Sequence, residues 1–314
     1  MIRKTFITGS LLLFVAGMAL GEIQTVEDAL ALIPDGQDVA IDLSEEGLAL
    51  LEAAIDVLED ALGVTAVFDH TDEDDYMQLE VPLEQKEWVN KLSQAYYTLG
   101  DVFLEENAEL KDTFARGQYW GLKSLRMATA FITEEVRHGF VAAVGIETDV
   151  AALFWTYGNW ARKDDLDVLG AIARNDPPKL EALINRTYEL DPTYSAYAPY
   201  RALAAFWGGL PPLPLIEYGQ NLPRALSYAC PIIDEPDFCS DCSECPVDPN
   251  HEAYLENRLI FVEYYLMPKK LWSDAERVLE SILGNDVGED YVLYNMSTRK
   301  RAAEVLEEVR THLD

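Results

Sequence analysis

From Ser44 to Leu62 apolar residues recur at three- and four-residue spacing, with Leu48, Leu51, Ala54, Ile55, Leu58 and Leu62 on one stripe and Gly63 closing the segment. That period is the mark of an amphipathic helix. It returns along most of the chain. Thr25 reads as the N-cap of a short helix to Ile33, ended by Pro34-Asp35-Gly36. A helix from Leu83 or Glu84 towards Asn107 carries Trp88, Leu92, Tyr96, Leu99 and Phe103, and one from Glu109 to Ala130 carries Phe114, Tyr119, Trp120, Leu122 and Leu125. Glu134 to Val144 adds a shorter one. Asp149 then opens a helix rich in small and aromatic residues, Ala151 to Lys163, which suits a tightly packed helix pair. Asp164 to Ala173 follows, and Pro177-Pro178 restart the chain as first-turn residues of a helix to Leu190. Helices are further expected over Ser195 to Trp207, Asn221 to Ala229, His251 to Leu266, Ser273 to Leu283 and Ser297 to Leu313, with Ser273 and Glu276 spaced as a capping box.

No stretch alternates long enough for a central strand, although Val64 to Phe68 and Met77 to Val81 are placed to form a small hairpin. Between them Asp69 to Asp75 is an acidic run that reads as a solvated loop, because it lacks the alternating ligands and turn glycine of a calcium-binding hand. The expected class is all-α. An internal echo refines it: Asp191-Pro192, Ala196-Tyr197 and Arg201 realign with Asp248-Pro249, Ala253-Tyr254 and Arg258 at an offset of 57 residues. A turn dipeptide followed by the same helix, started twice, points to an array of antiparallel helical hairpins, a tetratricopeptide-like superhelix. The offset exceeds the roughly 34 residues of one such unit. An insertion between the copies accounts for it.

Residues 1–21 carry Arg3 and Lys4, an apolar stretch from Phe6 to Met18, and Ala19-Leu20-Gly21, the layout of a cleavable secretory signal. The expectation is an exported chain, with residues 22–314 forming one all-α domain. No later segment is long and apolar enough to span a bilayer, and no cysteine follows the cleavage site to carry a lipid anchor. The formal charge of −32 becomes −34 when Arg3 and Lys4 are lost. Such a field repels nucleic acid and anionic membrane surfaces, and it suits solubility or a basic partner. Cys230, Cys239, Cys242 and Cys245 fall within an irregular loop over residues 230–249. In an exported chain two disulfides are the favoured reading, with three pairings open; a thiolate metal site and a redox pair are the alternatives.

Catalytic signatures are absent: there is no nucleophile elbow, zinc-binding His pair, phosphate-binding loop or dinucleotide fingerprint, so neither enzyme nor cofactor is expected. Glu134 and His138, one helical turn apart, read as a surface ion pair rather than a metal site. Aromatic residues are dense from Phe154 to Trp207 and include Trp155, Tyr157, Trp160, Tyr194, Tyr197 and Tyr200. They exceed what an aliphatic core needs, and at least one is expected to be exposed in a groove or interface. Arg201 and Arg258 recur at the same repeat position. Each is either a groove-facing anchor for a carboxylate or one half of an intramolecular ion pair, and Asn257 adds an amide beside Arg258.

These segments also carry a likeness. Ala115 to Trp120, the aromatic helix Phe154 to Trp160, Tyr188 to Pro192 with Tyr194, Ala202 to Pro211, and Asn257 to Leu266 resemble the T-component of TRAP transporter systems, from about Ala115 to the C-terminus. The resemblance implies a non-enzymatic periplasmic accessory protein of packed helical hairpins. It implies a homo-oligomer, as a trimer in the characterised case, that associates with a periplasmic solute-binding protein, the P-component. It further implies a groove or channel for a small apolar or organic-acid ligand. In this chain that groove is expected at Trp155, Tyr157, Tyr197, Arg201, Asn257 and Arg258. The Cys230 to Cys245 loop is not part of the family pattern. The competing reading is a general tetratricopeptide-like scaffold of an envelope complex without a small ligand.

Overall fold

The computed structural model describes residues 23–33, 41–212, 218–233 and 253–313. The expected signal segment and Cys239, Cys242 and Cys245 lie outside the described residues, as does the second Asp-Pro turn at Asp248. Among the described residues there are helices and no strands. In chain order they are α1 (Val26–Leu32), α2 (Glu45–Ala61), α3 (Glu73–Gln78), α4 (Lys86–Thr98), α5 (Asn107–Arg126), α6 (Thr129–His138), α7 (Phe140–Ile146) and α8 (Val150–Asp165). Then come α9 (Val168–Ala173), α10 (Pro177–Leu190), α11 (Tyr194–Gly209), α12 (Leu222–Ala229), α13 (Glu256–Phe261), α14 (Trp272–Gly284) and α15 (Val292–Arg310). Neighbours in sequence are mostly neighbours in space, as in α1–α2, α4–α5, α6–α7, α10–α11 and α14–α15.

Three apolar clusters follow one another. Leu51, Ile55 and Leu58 of α2 pack with Leu92 and Tyr96 of α4 and with Trp120. Leu153, Trp155 and Trp160 of α8 form a second cluster with Leu125, Leu183 and Phe206. Phe261 and Leu266 meet Val278, Ile282 and Leu306 in the third. Helix α8 is buried nearly all round, because α4, α5 and α10 surround it. Asn159 Nδ2 on α8 donates to the Ser93 carbonyl of α4 at 2.8 Å, and Ser93 Oγ donates to the Gly117 carbonyl of α5 at 2.8 Å. Close contact with α5 depends on missing side chains. A Cβ at Gly121 would lie 2.8 Å from Thr156 Cα, backbone that cannot swing aside.

Several expectations require correction. The hairpin at Val64 to Val81 does not form, and the acidic run is not simply a repelled loop. Asp69 Oδ1 accepts from Thr71 N at 2.9 Å, and Asp72 Oδ1 accepts from Asp74 N at 2.9 Å as the N-cap of α3. The remaining carboxylates sit in the first turn, where the helix dipole favours negative charge. Tyr76 on α3 thereby reaches the core, 5.0 Å from the Trp120 ring. The helix expected from Glu134 to Val144 is two, broken at Gly139, whose φ is +90°. The Ser273 capping box is not used, since α14 starts at Trp272 with no side-chain cap. Helices α4 and α13 each continue into a wider π turn, Leu99–Phe103 and Val262–Leu266, which periodicity does not distinguish from α-helix.

One carboxylate is buried in the first cluster. Glu59 Oε1 accepts from Tyr96 Oη at 2.8 Å and from Trp120 Nε1 at 3.1 Å. Burial still holds its carboxyl above the usual range, against the pull of those donors. Because the folded state then holds its proton more tightly than the unfolded chain, this contribution is present at low pH and is lost as pH rises through the folded pKa. Urea titrations of the wild type and Glu59→Gln at pH 4 and pH 8 should therefore show the variant gaining relative to wild type at the higher pH. Two glycines should respond with opposite sign. Gly121→Ala should destabilise by about 1–3 kcal/mol through overpacking. Gly145→Ala in α7, where a Cβ meets nothing within 4 Å, should stabilise by up to ~1 kcal/mol through helix propensity. Denaturant midpoints measure both.

Candidate functional site

Helix α11 begins with a backbone that L-residues seldom adopt. Ser195, Ala196 and Tyr197 all have positive φ, between 50° and 65°, forming one left-handed turn before the right-handed helix proceeds from Ala198. Left-handed residues without glycine cost roughly 1–2 kcal/mol each. Pro199 falls in the first right-handed turn, where its missing N–H is not needed. The turn is held by Arg201. Its Nη2 donates to the Ser195 carbonyl at 3.0 Å, and its Nη1 donates to the Ala196 carbonyl and to Asn257 Oδ1 at 3.0 Å. Nε lies 3.4 Å from Glu256 Oε2, and the guanidinium covers the Tyr254 ring at 4.2 Å. The echo read in the sequence is thus a physical contact: Arg201 of the first copy docks on Tyr254 of the second.

Beyond this clamp, α8, α9, α10 and α11 meet the π turn after α13 around a cavity of about 140 Å³. An apolar cavity of ~150 Å³ takes up a benzene-sized molecule. Phe154, Tyr157, Val168, Ile172, Leu180, Phe206 and Ile260 supply apolar wall. Tyr157 is fixed by its hydroxyl, which donates to the Ala202 carbonyl at 3.0 Å. Gly208 brings α11 against the π turn, where a Cβ would lie 2.7 Å from Tyr264 Cβ. Tyr264 lines the cavity from that turn.

The same cavity is lined by Arg162, Arg201, Arg301, Asp164, Asp165 and Glu256. Both π turns contribute acids to the arginines. Asp101 pairs with Arg162, and Glu263 accepts from Arg301 Nε at 2.8 Å. Burial pushes the Glu263 carboxyl up against the pull of Arg301 and Arg162. Asp165 is also pushed up by burial, with Arg162 and Arg301 opposing. Its side chain lines this cleft, and among the described residues it makes no ion pair within 4 Å. Each cavity arginine already holds a carboxylate, so the charged wall is close to balanced. An apolar or amphipathic molecule fits this chemistry better than a multiply charged one.

Of the residues expected to form a groove, Tyr157 and Arg201 line the cavity and Asn257 stands behind Arg201. Trp155, Tyr197 and Arg258 are buried but lie outside the lining, Trp155 packing on Tyr97 at 5.5 Å. No aromatic residue from Phe154 to Trp207 is exposed; Tyr188, Tyr194 and Tyr200 are half-buried and the rest are buried. The Tyr and Trp rings serve here as packing between helices, with the Tyr157 hydroxyl bonded to the Ala202 carbonyl. Arg162 and Arg301 were not singled out by sequence. They are far apart in the chain, and only the fold brings them together. Glu134 and His138 form the expected surface pair, 2.8 Å apart. Among the described residues no group of three or more His, Cys, Asp or Glu is arranged to hold a metal ion, and no helix is long and apolar enough to cross a membrane.

Removing the clamp should expose its role. Arg201→Met keeps the aliphatic stem but leaves two carbonyls and the Glu256 carboxylate without their donor, and should cost about 3–5 kcal/mol. Chemical denaturation measures the loss, and limited proteolysis should map new cleavage to residues 193–198.

Residues 84–214 match the family model described as TRAP transporter T-component. The match begins ahead of Ala115 and ends before α12, so Asn257 to Leu266 lies beyond it. It contains α8 to α11, which build most of the cavity wall. No curated protein matches the chain.

Proposed function

We propose that this chain, a member of the TRAP transporter T-component family, works in the periplasm as a non-enzymatic partner of the solute-binding P-component and holds a small organic ligand in the α8–α11 cavity. Its accessory role in TRAP transport follows from the family. The observation that carries the finer reading is the position of the cavity: the matched residues supply all of its aromatic wall except Tyr264, and the volume suits a ring-sized molecule. The apolar body of the ligand lies against Phe154, Tyr157 and Phe206. A hydroxyl or amide on it meets Asp165 or the paired arginines. Export is supported by the signal-like segment at residues 1–21 and by the grouping of all four cysteines within residues 230–245.

A second reading, a helical scaffold without small ligand, draws support from the internal pairing of Arg162, Arg201 and Arg301. Such a network holds helices together whether or not anything binds beside it. One experiment separates the two. Benzyl alcohol, uncharged and of the right size, should bind the wild type in calorimetric titration, and Ala205→Phe, which fills the cavity, should abolish that binding. Co-purification with a P-component should survive the substitution. No uptake by the wild type, or equal uptake by Ala205→Phe, rejects the cavity as a ligand site. Failure of the wild type to co-purify with a P-component rejects the partner.

A further inference from the structure

On the other side of α8 a pocket of about 290 Å³ opens between α5, α8, α9 and the turn at His70. It is lined by Lys111, Arg116, Lys163 and Arg174, with Asp112 and Asp167, and by the ring of Tyr119. Four cations in one pocket are unexpected in a chain of formal charge −32 with 24 basic side chains. Arg174 is fully engaged by Asp164 at 2.8 Å, Asp176 at 2.8 Å and Asp167 at 3.3 Å. The others are not. Among the described residues Lys111, Arg116 and Lys163 make no ion pair within 4 Å. Lys163 is half-buried beside the Trp160 ring, 5.9 Å from its centroid, and its only hydrogen bond among the described residues goes to the neutral Gln118 amide. Burial pushes its ammonium below the usual range and Arg174 adds to that, while Asp164, Asp176 and Glu73 pull the other way without touching it.

The adjoining pocket, which shares Tyr119, Lys163 and Arg174, differs in this respect. There Arg126 is answered by Glu73 at 2.7 Å and Glu135 at 2.9 Å, and Lys179 by Asp176 at 3.1 Å. Cations without a direct ion pair are therefore confined to the Lys111–Arg116–Lys163 side, where Asp112 and Asp167 are the lining carboxylates.

We propose that this pocket is an anion site that takes a small molecule bearing two negative charges, a phosphate group or a pair of carboxylates. Arg116 offers a two-pronged donor face that fits either group, and Lys163 and Lys111 supply point charges. Four lining cations against two lining carboxylates suit a dianion. The protein's own field excludes larger polyanions, whose distal charges would extend into a strongly negative surface; a compact anion stays within a Debye length of its cations. The site is separate from the aromatic cavity, where every arginine is already paired.

Calorimetric titration of the full chain with glycerol phosphate in one arm and succinate in the other tests this. At least one should bind, with affinity that falls as salt is raised. Lys163→Gln and Arg116→Gln should each weaken binding by about tenfold or more, and Lys111→Gln, an exposed position that leaves the fold intact, by about threefold. The arm that binds tells phosphate from dicarboxylate. Binding of neither anion overturns the proposal. So does unchanged affinity in Lys111→Gln together with Lys163→Gln, or loss of anion binding in Ala205→Phe with those lysine variants unaffected, which would place the anion in the aromatic cavity.

Discussion

A guanidinium bound to two carbonyls of a left-handed turn fixes where α11 begins, and much of the molecule follows from that position. The chain leaves α10 at Leu190 and must reverse before laying α11 across α8 and the π turn after α13. Three consecutive residues at positive φ accomplish the reversal without a glycine. At roughly 1–2 kcal/mol each they would not persist alone. Arg201 stabilises them by donating to the Ser195 and Ala196 carbonyls, while Asn257, Glu256 and the Tyr254 ring hold Arg201 from the second repeat copy. The strain and its compensation lie on different segments. The turn therefore registers α11 against α13, and the cavity wall exists only when that register is made.

This explains why the matched arginines of the repeat have different environments. Arg201 lines the cavity and joins the two copies, whereas Arg258 is buried outside the lining on α13. A repeat conserves the helix start and its packing position. It does not conserve what the next element presents to it.

Periodicity made α2, α8, α10 and α12 legible, because each has an apolar face and a start signal: Ser44, Asp149, Pro177 or Asn221. It failed where the decisive contact is distant or the backbone unusual. Ser195-Ala196-Tyr197 carries no glycine to announce a left-handed turn. The π turns at Leu99–Phe103 and Val262–Leu266 keep a helical hydrophobic pattern while adding one residue per turn. Those extra residues aim Asp101 and Glu263 at Arg162 and Arg301, so the charged cavity wall was hidden by the same feature that builds it. The acidic run at Asp69 failed for a different reason. Counting charge predicted repulsion, but carboxylates that cap backbone N–H groups are favourable individually, and two of them shaped the start of α3.

The last turn of α8 brings the two candidate sites within adjacent residues. Arg162 faces the aromatic cavity and Lys163 the basic pocket, on a helix whose C-terminal carbonyls favour nearby cations. Arg162 is answered by Asp101 from the π turn after α4; Lys163 has only an amide. In a chain this acidic, a cation left without a direct carboxylate contact is not explained by scarcity of partners. Asp164 and Asp165 are its immediate neighbours in sequence, yet the helix directs Asp164 to Arg174 and Asp165 into the cavity. Helical geometry thus separates four consecutive charged residues among three environments. A rotation of this turn that improved one environment would disturb the others.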